Sequence, residues 1–218
     1  MKERTDGISL AGASLGRHRH VCALFNGAED AYEVLGPFIL DGFQCNHKAI
    51  HLVGSGQREA HLTRLRCEGI DTESFQLAGQ LEVRNTVDAY LQDGRFDQDR
   101  MVETFTALAS GNTNGKYPLS RIVCDMDWAA DGQSHLHDLI EFESRVNDLW
   151  SRHDDVVICV YDLAKFGGDT IVDILRTHPL VVIGGILREN PFYIPPAQFL
   201  KELRDRRTGK GEQSDAAE

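Results

Sequence analysis

The sequence predicts an α/β fold, a three-layer sandwich with a mostly parallel central sheet, and three observations lead there. Six short runs rich in Val, Ile, Leu and Cys alternate with stretches of helical periodicity. Several of these runs are continuously apolar, as in strands covered on both faces. The first run breaks at Asn26-Gly27 and resumes with helical spacing, a strand-turn-helix unit of the kind that often holds phosphate in such sheets.

The elements follow in order. Residues 1–17 lack periodicity and are rich in Gly and Ser, which predicts a flexible lead-in to a domain at 18–204. HVCALF (20–25) is the first strand, followed by a helical pattern at about 29–43. KAIHLVG (48–54) and LEVRN (81–85) are the next strands, with helical patterns at 57–68 and 97–110. SRIVCDM (120–126) leads into 135–150, VVICVY (156–161) into 168–177, and LVVIGGI (180–186) is the sixth strand. A last helix opens at Pro195-Pro196, since proline suits the first turn, and runs to about Arg204. The polar residues 205–218 predict a disordered tail.

Net charge is -11, from 34 acidic and 23 basic residues. Such a chain repels nucleic acid and anionic lipid, so no direct nucleic-acid or membrane partner is expected. The start, MKERTDGISLAG, has no apolar core of a signal peptide, and the apolar run at 180–187 is far short of the roughly 20 residues that span a bilayer. Five scattered cysteines form neither a disulfide framework nor a CxxC pair, and Cys124 and Cys159 read as small hydrophobes within strands. A cytoplasmic location is expected.

Ligands of such sheets bind beyond the carboxyl ends of the strands, which sorts the candidate residues. At the first turn, Asn26, Gly27, Ala28, Glu29 and Asp30 lack the Lys and Ser/Thr of a phosphate loop and set two carboxylates where phosphate would sit. Glu29 and Asp30 equally suit ordinary helix capping. Gly111–Lys116 imitates a phosphate loop, but it is one residue short and precedes a strand, so it reads as a surface loop. The Gly54-Ser55-Gly56 turn follows a strand and opens a helix, and with the third glycine of a dinucleotide fingerprint missing it reads only as amides open to the crevice.

His18, His20 and Cys22 share one strand face, a geometry open to metal ligation, but Arg17 and Arg19 disfavour a cation at His18, while His20 and Cys22 keep interest because their strand leads into the crevice. No metal or cofactor is assigned. Asp125, Asp127 and Trp128 close the fourth strand, as ligand-binding groups or as a helix cap. In 135–150, Leu136, Leu139, Ile140, Glu143, Asn147 and Trp150 fall on one stripe. Glu143 therefore interrupts an apolar face and must find partners or shift its pKa upward. Either a structural hydrogen bond or a polar group in an internal pocket fits it. Tyr161 and Asp162 follow the fifth strand, and Arg188, Glu189, Asn190 and Tyr193 follow the sixth. His178 precedes a strand and reads as architectural. No nucleophile elbow, HExxH or Ser/His/Asp pattern is present, so no catalytic residue is assigned.

An ordered set of motifs resembles a known family. They are His20-x-Cys22-x-x-Phe25, Leu91-x-Asp93-Gly94-x-Phe96-Asp97, Met126-x-Trp128-Ala129, Glu141-x-Glu143-x-x-x-Asn147 and Tyr161-Asp162, then Arg176-Thr177-His178-Pro179 and Glu189-Asn190-Pro191-x-Tyr193-x-Pro195-Pro196. The set resembles the MEDS domain, the methanogen/methylotroph DcmR sensory domain, over roughly 18–200. The resemblance implies a divergent RecA/KaiC-like P-loop NTPase fold whose phosphate loop has degenerated. It also implies a sensor of small hydrocarbon derivatives or related signals. Phe25 stands where many members carry tyrosine. With no fused output domain expected, the signal would pass to a separate regulator, whether a kinase, an anti-sigma protein or a transcription factor.

The leading expectation is a non-catalytic sensor. Its small-ligand site is expected to be lined by His20, Phe25, Asn26, Glu29, Asp125, Trp128, Glu143, Tyr161, Asn190 and Tyr193. A partner-switching module with a vestigial pocket and an unorthodox nucleotide-binding, kinase-like enzyme are the alternatives. Self-association is compatible with each.

Overall fold

A computed structural model describes residues 7–92, 95–110, 116–131 and 133–215. The strands are β1 (Ser9–Leu10), β2 (Ala13–Ser14), β3 (His20–Phe25), β4 (Lys48–Val53), β5 (Leu81–Asn85), β6 (Leu91–Gln92), β7 (Arg95–Phe96), β8 (Ser120–Asp125), β9 (Val156–Asp162), β10 (Leu180–Ile183) and β11 (Ile186–Glu189). The helices are α1 (Ala28–Gln44), α2 (Arg58–Cys67), α3 (Thr72–Leu77), α4 (Thr86–Tyr90), α5 (Gln98–Ser110), α6 (Gln133–Trp150), α7 (Gly168–Thr177) and α8 (Pro196–Asp215).

The continuously apolar runs became the sheet's interior. A seven-stranded sheet has the order β11-β10-β3-β9-β8-β4-β5, parallel throughout except for β11. Alternation along each strand feeds two cores. Val21, Ala23, Phe25, Val156 and Ile158 pack with residues of α1, α2 and α3 on one face. Cys22, Leu24, Ile122, Cys124, Cys159 and Tyr161 pack with those of α5, α6, α7 and α8 on the other. On that second face Phe105 meets Phe142 and Trp150 edge-on, with centroids 5.5 and 5.6 Å apart. Such pairs add about 0.5–1.5 kcal/mol each beyond the area they bury.

Four expectations are corrected. The run at 180–186 is not one strand. Gly184 and Gly185 take φ of +56° and +71° and fold it into the β10–β11 hairpin, because a two-residue turn with both φ positive matches strand twist. The lead-in is also ordered from Gly7 onward. Ile8, Leu10 and Leu15 are buried, the β1–β2 hairpin is closed by the Leu15 amide to the Ile8 carbonyl at 2.8 Å, and two-residue strands are too short to show a period. Residues 1–6 lie outside the described residues.

The last helix does not stop near Arg204 but continues to Asp215, and residues 216–218 of the polar stretch expected as a disordered tail lie outside the described residues. Arg206 bonds Asp173 at 2.8 Å and Glu202 at 2.7 Å, and Arg207 bonds Glu141 at 3.2 Å. Those partners sit partly on other elements, where composition cannot reveal them. Finally, α3 and α4 were not foreseen, being too short to show helical periodicity. The side chain of Asp71 caps α3, accepting from the Ser74 amide at 3.1 Å. Of the imitation phosphate loop, residues 111–115 lie outside the described residues.

Buried Arg121 ties the start of β8 to α1. Its Nε bonds His47 Nδ1 at 3.0 Å, one Nη bonds the Phe38 carbonyl at 2.5 Å and the other bonds Asp41 at 2.5 Å. Gly42 is required beneath it, since a Cβ there would lie 2.9 Å from Arg121 Cδ. Arg121→Ala is expected to cost about 2–4 kcal/mol in urea unfolding, with Arg121→Lys recovering only part, because one ammonium cannot serve three divergent partners.

Candidate functional site

Two polar groupings occupy opposite faces of the sheet. The first is a crevice of about 1090 Å³ at the carboxyl ends of β3, β4, β8 and β9, where the strand order predicts a ligand. Gly27, at φ +93°, turns β3 into α1 and forms one wall of the crevice. No side chain caps α1. The Asp30 carboxylate instead accepts from the Asn26 amide at 3.0 Å, and Glu29 pairs with Arg64 at 3.0 Å. The capping reading of Glu29 is therefore corrected to an interhelix ion pair.

Across the crevice, Asp125 accepts from the Gly54 amide at 3.2 Å and the Asp127 amide at 2.9 Å. Asp127 in turn accepts from the Asp162 amide at 3.0 Å and pairs with Lys165 at 2.9 Å. Asp127 opens a short 3-10 helix, Asp127–Asp131, and Trp128 stacks on Tyr90 with centroids 4.8 Å apart. Burial pushes the Asp125 carboxyl up, while its bond to Asp127 raises the Lys165 ammonium.

One wall of the crevice carries a hydrogen-bonded chain. The Tyr32 hydroxyl is 2.6 Å from His61 Nδ1, and His61 Nε2 is 2.8 Å from His51 Nδ1. Burial lowers His61 to about 4 and, with the neighbouring His61, lowers His51 well below its ordinary value. Both rings are thus neutral at pH 7, each passing one hydrogen bond onward.

The second grouping is fully buried on the α6 face. Glu143 Oε1 accepts from the Tyr161 hydroxyl at 2.9 Å, and Oε2 lies 3.1 Å from His20 Nε2 and 3.4 Å from His178 Nε2. Burial opposes ionisation of Glu143, but the His178 and His20 imidazoles outweigh it and hold the carboxyl well below its usual range. The expected alternative of an upward shift is corrected for that reason. Cys159 Sγ is 3.6 Å from the same Oε2, and the His20 and His178 rings lie 4.0 Å apart.

The ten expected site residues therefore do not form one pocket. Phe25, Glu29, Asp125 and Trp128 line the crevice. His20, Glu143 and Tyr161 belong to the buried grouping, because His20 is the first residue of β3, at the end remote from the crevice. Asn26 contributes its backbone amide to the α1 turn. Asn190 is a local clamp, donating to the carbonyls of Leu175 at 2.6 Å and His178 at 2.7 Å, and the Tyr193 amide donates to the Asn190 carbonyl at 3.2 Å.

Sequence reasoning missed Tyr32, His51 and His61 in the crevice, and Cys159 and His178 in the buried grouping. A signal existed for His178. It precedes β10 as His20 opens β3, and these strands pair in parallel with Leu180 opposite Val21. His178 remains architectural too, its Nδ1 bonded to the Ile174 carbonyl at 2.9 Å.

The matching family model is a sensory domain, the MEthanogen/methylotroph, DcmR Sensory domain, and it covers residues 19–179. The chain belongs to this MEDS family. It is similar to the transcriptional repressor DcmR of Methylorubrum extorquens (strain DSM 6343 / CIP 106787 / DM4), with 24% identity over 172 residues, 78% of this chain and 61% of that protein. The chain thus spans about three fifths of the length of that curated relative. Among the described residues, no helix is long and apolar enough to cross a membrane.

His61 carries a pH signature. Its folded pKa, about 4, lies below the ordinary 6.5, so the unfolded chain binds the extra proton between those values. Stability from this group is fully present above pH 6.5 and is lost as pH falls through 4. In urea unfolding at stepped pH, His61→Gln is expected to flatten the loss between pH 7 and 4 by up to about 3 kcal/mol relative to the parent.

Proposed function

We propose that this MEDS domain is a non-catalytic sensor that binds a small ligand in the crevice and passes its state to a separate regulatory protein. The observation that carries this reading is the crevice itself. Its walls combine Phe25, Tyr32, Leu35, Ile39, Val160 and Trp128 with a few placed polar groups, the usual make-up of a small-molecule site. It occupies the position of a phosphate site while lacking phosphate chemistry. Lys and Ser/Thr are missing at 26–30, Glu29 and Asp30 stand at the α1 turn, and the Gly54 amide is already engaged by Asp125.

A triphosphate would meet the carboxylates of Glu29, Asp125, Asp127 and Asp162. A small neutral or cationic molecule with an apolar body, such as a hydrocarbon derivative, suits these walls better, with Tyr32 and His61 recognising its polar end. The degenerate P-loop ancestry, RecA/KaiC-like, belongs to this reading and draws support from the β3-turn-α1 unit. The sensory family and the repressor relative support transcriptional or signalling control through a kinase, anti-sigma or transcription-factor partner. The net charge of -11 argues that any nucleic-acid contact is made by that partner.

Trp128 fluorescence and calorimetry against a panel of small alcohols, halogenated hydrocarbons, amines and acids test the proposal. At least one compound is expected to bind the parent, and Ala60→Trp, which fills the crevice from the exposed face of α2, is expected to weaken it tenfold or more without changing urea stability. A clear rise in melting temperature with Mg-ATP or Mg-GTP would overturn the reading in favour of a nucleotide site.

A further inference from the structure

The crevice reading makes no use of the buried grouping on the α6 face. There, His20 Nε2, Glu143 Oε2, Cys159 Sγ and His178 Nε2 lie within 4.8 Å of one another, and all four residues are buried. Glu143 Oε2 is 3.1 Å from His20 Nε2, 3.4 Å from His178 Nε2 and 3.6 Å from Cys159 Sγ, which is itself 3.6 Å from His20 Nε2. A tetrahedral zinc ion, with bonds of about 2.0–2.1 Å to N or O and about 2.3 Å to S, separates its ligand atoms by about 3.3 Å, or about 3.6 Å where sulfur is one of the pair. The four separations match those edges within a few tenths of an ångström.

The hydrogen bonds around the rings make the same point independently. His178 Nδ1 lies 2.9 Å from the Ile174 carbonyl and 2.8 Å from the Thr177 hydroxyl, which spends its own hydrogen on that carbonyl at 2.7 Å, so Nδ1 carries a proton. Asn147 Nδ2 donates to the carbonyls of Glu143, Ser144 and Thr177, which turns its Oδ1 toward His20 Nδ1 at 3.0 Å. His20 Nδ1 therefore also carries a proton. Those bonds turn the Nε2 atom of each ring toward Glu143 Oε2, the geometry a shared metal ligand set needs. His178 Nε2 makes no hydrogen bond although its side chain is fully buried. An unanswered polar atom at such depth is costly, and a cation held by His178 Nε2 together with its neighbours answers it.

We propose that His20, Glu143, Cys159 and His178 together bind one divalent transition-metal ion, with zinc the best match to two imidazoles, one thiolate and one carboxylate. Binding removes the Cys159 thiol proton to solvent, one proton per ion. Thiolate and carboxylate then cancel the dication, leaving a buried site of zero net charge. Tyr161 holds Glu143 Oε1 at 2.9 Å, leaving Oε2 free for the metal, while Ile174 and Asn147 orient the imidazoles as outer-shell partners do. Four protein ligands and no solvent exposure make this a closed structural site, filled as the chain folds. It is separate from the crevice and stands or falls without it.

The test uses the full chain, with any affinity tag removed, purified without chelator. Elemental analysis is expected to find close to one equivalent of zinc. Refolding in Co²⁺ is expected to give tetrahedral d–d bands and a thiolate-to-cobalt charge-transfer band at one equivalent. Cys159→Ser is expected to lose the charge-transfer band, and His178→Ala to weaken Co²⁺ binding at least tenfold, while Cys45→Ser at an exposed position retains both signals. A folded parent chain that takes up no stoichiometric zinc or cobalt would overturn the proposal, as would a charge-transfer band that survives in Cys159→Ser.

Discussion

The carboxylate of Glu143 is the point on which the helical layer behind the sheet is hung. It projects from the apolar stripe of α6 into a space closed to solvent, and burying it without partners would be prohibitive. Its partners come from separate places in the chain, namely His20 on β3, Cys159 and Tyr161 on β9, and His178 at the end of α7. Asn147, one turn along α6, adds a bond to the Thr177 carbonyl at 2.6 Å. One charged group thus specifies how α6 sits on two neighbouring strands and on the α7–β10 junction. An apolar residue could fill the same volume, but it would not select that orientation.

The same alternation that builds the two cores connects the buried grouping to the crevice. Along β9, Val160 and Asp162 line the crevice while Cys159 and Tyr161 face α6. A ligand that shifts the end of β9 therefore acts on a strand whose opposite face is anchored at Glu143. Under the proposed ligand reading, that coupling is the physical route from the crevice to the helices α6, α7 and α8.

The layers were legible because their cause is local. Continuous Val, Ile and Cys runs cannot be solvated, so they had to be central strands, and the helical stripes between them had to cover them. The departures had causes that local pattern does not carry. The Gly184-Gly185 turn hid inside an apolar run, and the anchors of Arg206 and Arg207 lie on α6, α7 and α8. At the site, Glu143 betrayed itself by interrupting a stripe. His20 was assigned to the carboxyl-edge crevice although it opens its strand, on the assumption that polar residues converge there. His178 was set aside by the same rule, and His51 and His61 drew no notice because only the packing of α2 on β4 joins them.

The protonation pattern of the two imidazoles beside Glu143 tests the account at its centre. Long-range ¹⁵N–¹H correlation spectra of the histidine side chains report which ring nitrogen carries hydrogen. The account requires Nδ1–H in both His20 and His178, donated to the Asn147 side-chain oxygen and the Ile174 carbonyl. A bare Nδ1 with a protonated Nε2 in either ring would contradict it, because the bonds that orient the rings toward Glu143 would then not exist.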